Sequence, residues 1–100
     1  MKTVLVSGVL LLSFFAHAET CKKGDLKDCA KVLKSKEGSD DFAQIYDNVC
    51  YENKTFKCLK ITVRGDIKEE MKYQKDEHPK ANMFSGKESG EDKIFILEKK

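Results

Sequence analysis

Two cysteine pairs with the same spacing, Cys21/Cys29 and Cys50/Cys58, constrain this chain more than any other feature. Each pair reads C-x7-C. The chain's 4 cysteines can pair in several ways, and the repeated spacing favours 21–29 with 50–58. C-x7-C is neither a C-x2-C zinc knuckle nor a C-x-x-C redox motif, so the pairs read as structural disulfides. Closing each short loop contributes ~2–3 kcal/mol through chain entropy. Such bridges persist in oxidising compartments.

The start of the chain points the same way. Lys2 is followed by an apolar run from Val4 to Phe15, then by Ala16-His17-Ala18, a small-x-small cleavage pattern. Residues 1–18 therefore read as a signal peptide of short bacterial type, and the destination as secreted or periplasmic. Glu19-Thr20 precedes Cys21 where lipid attachment requires small residues, so no stable membrane insertion is expected after cleavage. The rest of the chain has the length of one small domain. With 36% charged residues and no Trp, its apolar core is thin, and covalent staples are expected. Acids and lysines alternate, as in Lys68-Glu69-Glu70 and Lys75-Asp76-Glu77, and the net charge of the full sequence is only +2. Without a basic block, or basic residues interleaved with aromatics, nucleic acid is not an expected partner.

Gly24-Asp25 reads as a turn and helix cap. Leu26, Cys29, Ala30 and Leu33 then recur at helical spacing, with Lys27, Lys31 and Lys34 opposite, which predicts a helix over Leu26–Lys36. Glu37-Gly38-Ser39 ends it, and Ser39 or Asp40 is the expected cap of the next helix. Phe42, Ile45, Tyr46, Val49 and Cys50 form the cleanest amphipathic stripe in the chain. Glu52-Asn53-Lys54 is a turn. Residues 55–63 are ambiguous: the cysteine repeat favours helix, whereas β-branched content and partial alternation favour strand. In the helical reading each C-x7-C joins one helix end to the first turn of the next. In the other reading 49–58 is a β-hairpin with Cys50 facing Cys58. Gly65-Asp66 marks another turn and cap, Ile67–Lys75 a helix, and Pro79 its stop. Residues 80–92 look loose, and 93–98 are a short apolar run that suits a strand or a segment docked on the core.

The run Cys21-Lys22-Lys23-Gly24-Asp25-Leu26-Lys27-Asp28-Cys29 resembles the inter-helix segment of Sel1-like repeat proteins, in their disulfide-rich bacterial Hcp-like subfamily. Tyr46-Asp47-Asn48-Val49-Cys50 is similar to the helix ending of those repeats. The resemblance implies a mostly α fold: disulfide-stapled α/α hairpin repeats of tetratricopeptide-like type over 19–79. Residues 80–100 then form a flexible segment and a C-terminal apolar run, with a short strand. An α+β fold with a hairpin at 49–63 is the alternative.

The expected function is binding of a protein or peptide partner, with Tyr46, Tyr51 and Phe56 as contacts, although Tyr51 and Phe56 could equally cover the second disulfide as core. The resemblance implies a second class, β-lactam binding or hydrolysis. None of Ser35, Ser39, Ser85 and Ser89 begins the Ser-x-x-Lys that a serine β-lactamase uses. His78 is the one histidine after the leader and reads as an exposed loop residue, so neither a metal site nor a catalytic residue is expected, and no cofactor. A third class is a small α+β inhibitor or immunity-type protein, with 55–63 and 93–98 as strands.

Overall fold

Each helix starts where a short polar side chain follows a glycine turn or a polar break. The computed structural model describes residues 21–22, 24–51 and 53–100, and the signal-peptide assignment at 1–18 lies outside them. Gly24, at φ +94°, turns the chain into α1 (Leu26–Lys36), where the Asp25 carboxylate accepts from the Asp28 amide at 3.0 Å. Gly38, at φ +92°, breaks the chain before α2 (Phe42–Cys50). The α2 cap position falls on Asp41, whose side chain makes no capping bond, rather than on Ser39 or Asp40. Ser39 contributes through its carbonyl, which accepts from the Phe42 amide. Asn53 shapes the turn after α2: its Oδ1 accepts from the Thr55 amide at 2.9 Å, and its Nδ2 donates to the Val49 carbonyl at 3.3 Å.

The chain then enters β1 (Phe56–Val63). Asp66 caps α3 (Ile67–Glu77) by accepting from the Lys68 and Glu69 amides. β2 (Asn82–Glu88) and β3 (Glu91–Lys99) form a hairpin. Its two-residue turn, Ser89-Gly90, has positive φ at both positions, 55° and 79°, as a tight antiparallel turn requires.

The sheet order is β1-β3-β2, with both edge strands antiparallel to the central β3. Ile94, Phe95, Ile96 and Leu97 in β3 are all buried, because both faces of the sheet are covered. On one face α1 and α2 press Leu33, Phe42, Ile45, Tyr46 and Val49 against Phe56, Phe84, Phe95 and Leu97. The Phe95 ring meets Phe42 and Tyr46 edge-on at 5.1 and 5.0 Å between centroids. On the other face α3 sets Ile67 and Met71 against Val63, Ile94 and Ile96. The α3 crossover from β1 to β2 thus passes over β3 opposite α1 and α2.

This architecture corrects the mostly α reading. The domain is α+β, and no stack of helix pairs exists among the described residues. Residues 56–63 are strand, and the physical reason lies at the other end of the chain. An apolar run buried on both faces behaves as a central strand, and a central strand needs a neighbour on each side. β1 supplies one, with Leu59 opposite Ile96 and Ile61 opposite Ile94. The alternative hairpin at 49–63 is corrected too, since Val49 and Cys50 end a helix. The actual hairpin occupies part of the segment read as loose and flexible, 80–92, together with the apolar run after it.

Both cysteine pairs are bridged, Cys21 to Cys29 and Cys50 to Cys58, with Cα separations of 5.0 and 6.2 Å. The first ties the segment before α1 to that helix. The second joins the end of α2 to β1, and so links the helical layer to the sheet. Two disulfides fit an oxidising environment. No helix among the described residues is long and apolar enough to cross a membrane.

Candidate functional site

The outer edge of β2 lies in a groove of about 800 Å³, and both walls are helical. One wall is α1, which contributes Leu26, Lys27, Ala30, Lys31 and Lys34; Lys75 of α3 stands on the other side. The floor is Ala81, Asn82, Met83 and Phe84. Helical geometry explains the lysine wall. Positions 27, 31 and 34 fall at i, i+4 and i+7, so three ammonium groups share one stripe while Cys29 and Leu33 turn into the core. Lys34 pairs with Glu37 at 3.0 Å, and Lys75 donates to the Ala81 carbonyl at 3.2 Å. Lys27 and Lys31 have no carboxylate within ion-pair distance among the described residues. The groove therefore combines an apolar floor with a positive rim, a combination that suits an anionic partner with an apolar body.

A second polar cluster is structural. Lys60 reaches from β1 to Asp47 of α2 at 2.9 Å and to Glu88 of β2 at 3.0 Å, so one ammonium bridges three elements. It sits 5.9 and 5.8 Å from the centroids of the Tyr46 and Phe95 rings. Burial alone would pull the Lys60 ammonium down, but the Asp47 and Glu88 carboxylates outweigh it, and its pKa is raised. Beneath it, the Tyr46 hydroxyl donates toward the carbonyls of Ile96 at 2.7 Å and Leu59 at 3.0 Å. Burial pushes the Tyr46 phenol up to about 12, against the opposing pull of its backbone hydrogen bonds.

The structure separates the three aromatic residues expected to meet a partner. Tyr46 and Phe56 are each 2% exposed and belong to the core, so neither presents a contact surface. Tyr51 follows the last residue of α2 and is 66% exposed. His78 is not an exposed loop side chain. It caps the end of α3, half-buried, with Nδ1 3.2 Å from the Glu98 carboxylate. Lys27, Lys31 and Lys34 read in the sequence as the solvent side of the first helix. Their i, i+4, i+7 spacing was the available signal, but nothing local shows that a strand edge lies beside them. Among the described residues no cluster of three or more His, Cys, Asp or Glu side chains is placed to hold a metal ion.

Fold and groove together define a disulfide-stapled α+β domain with a lysine-rimmed cleft along one sheet edge. Neither a protein-family model, nor a curated protein, nor a solved structure matches the chain.

Proposed function

We propose that this chain is a secreted or periplasmic binding protein of the small α+β inhibitor or immunity type, which docks a protein partner in the groove between α1 and the β2 edge. The observation that carries this reading is the apolar floor beneath the lysine rim. Preorganisation supports it. The Cys21–Cys29 bridge fastens the first turn of α1, the lysine wall of the groove, which lowers the ordering cost when a partner docks. Leader and disulfides favour export together.

The test is site-specific photo-crosslinking in the cells that export the protein. A crosslinking residue replaces Lys31 in the groove, and in a control protein it replaces the exposed Lys72 of α3. A discrete adduct with a second protein at position 31, absent at 72, is expected. No adduct at 31, or the same adduct at both positions, would overturn the reading.

A further inference from the structure

We propose that the partner docks as an extended acidic segment, adding a strand to the free edge of β2 between α1 and α3. This rests on the groove being the binding site and specifies how it is used.

The backbone of the edge carries the argument. In an antiparallel edge strand, alternate residues turn both their N–H and C=O away from the sheet. The Ser85 amide shows which residues these are, because it donates to the Glu37 carboxylate at 3.0 Å, outside the β2–β3 ladder. Two residues earlier, Met83 faces the same way. Two residues before that, the Ala81 carbonyl accepts from Lys75. Side chains of this chain therefore occupy the outward groups at both ends of a short stretch. One end is an amide held by a carboxylate, the other a carbonyl held by an ammonium. Met83 lies between them, on the groove floor, and offers one N–H and one C=O to an incoming strand.

The walls select the chemistry of that strand. Lys27 and Lys31 rise along α1 by ~6 Å per four residues. Alternate side chains of a strand are spaced by ~6.6–6.8 Å. Acids at alternate positions of the added strand match the spacing of the two lysines that line the groove with it. The side chains between them point to the opposite face of the added strand, beside Met83 on the α3 side of the sheet. Main-chain pairing supplies affinity and the lysine spacing supplies selectivity, as in other strand additions. An unguarded edge would invite indiscriminate pairing. The Glu37 and Lys75 contacts restrict it to a short, charge-selected segment.

The experiment uses the intact, oxidised protein labelled with 15N and a short acetylated peptide of alternating Glu and Val. Cross-strand NOEs between peptide and Met83 backbone protons are expected, with slowed exchange of the Met83 amide. Affinity should fall by about tenfold or more in the Lys27→Glu/Lys31→Glu protein, and should weaken with salt. Met83→Pro removes the outward N–H at an edge position where proline is tolerated, and should abolish the NOEs. The wild-type exchange measurement keeps the test valid if that variant misfolds. Binding that leaves Met83 exchange unchanged would overturn strand addition, as would equal binding of an alternating Lys–Val peptide. Saturation of the same resonances by a thymidine oligonucleotide or by dodecanoate, with no response to the Glu–Val peptide, would also overturn it. A protein adduct at position 31 without a Met83 response would leave the groove as a docking site and remove only the strand mode.

Discussion

Tyr46 does two jobs with one side chain. Its ring fills the core against Phe95, and its hydroxyl reaches the backbone where β1 and β3 pair. Tyr46→Phe keeps the ring and should cost about 1 kcal/mol at neutral pH, read as a shift in urea midpoint. The alkaline behaviour is more diagnostic. A phenol held at about 12 in the folded protein, against 10.0 ordinarily, stays protonated after the unfolded chain has ionised. Stability is therefore intact below pH 10.0 and falls as pH rises toward about 12, by up to about 1.4 kcal/mol per pH unit. The stability gap between wild type and Tyr46→Phe should stay constant up to that threshold, then close and change sign as pH approaches about 12, because the loss exceeds the ~1 kcal/mol that the hydroxyl contributes. A gap unchanged to pH 12 would mean that the phenol is not the responsible group. Lys60, also raised, loses its contribution in the same direction, but it does so in both proteins. The Phe42–Val49 stripe puts Tyr46 on the apolar face of α2, which suits a core residue as well as the partner contact expected of it, and the fold decides for the core. That its hydroxyl would meet Ile96, fifty positions away, was not legible, because no local pattern encodes so distant a partner.

Between elements, β2 packs closely under the helical layer at Gly86. A β-carbon added at Gly86 would come within 3.2 Å of the Phe95 ring and 3.6 Å of the Phe42 ring. Gly86 is thus a space requirement between strand and helix, with Phe42 and Phe95 already in edge contact. Gly86→Val would force those rings apart and should cost about 1–3 kcal/mol, measurable as a lower thermal midpoint. A variant as stable as wild type would show that the rings have room to yield. The helices themselves were readable, because their caps and stripes are local: Asp25 and Asp66 cap as their positions suggest, and the α2 stripe from Phe42 to Val49 is buried. The hairpin was hidden by its own composition. Met83-Phe84-Ser85-Gly86-Lys87 is weakly apolar and carries a glycine, so it looks like a loop until β3 pairs with it. The Ser89-Gly90 pair is the one local signal of its turn.

At the scale of the molecule, two small cores on opposite sides of one sheet share the strand β3. Neither core is large, and the disulfides act on the same side, at the helical layer. The two bridges close loops of equal sequence separation, 8 in each case, so chain entropy alone weights them equally. Reduction of both should lower stability by ~4–6 kcal/mol, most of what a domain of this size possesses. The expected result is loss of the cooperative thermal transition in reductant, followed by circular dichroism. A reduced protein that melts at the oxidised temperature would show that the two cores suffice alone.

Neighbouring residues were enough to favour two short cysteine loops, to place three helices within a residue or two of their ends, and to mark an apolar run near the C-terminus too fully hydrophobic for a surface. They were not enough to make residues 56–63 a strand, which required pairing with β3. Nor could they make residues 82–88 the other edge of the sheet, or set a stripe of lysines on α1 beside that edge; the packed fold did both. The physical reason is the range of the forces. Capping and helical periodicity act within a few residues. The β1 strand takes its stability from partners such as Ile94 and Ile96, more than thirty positions away, and no local pattern names them.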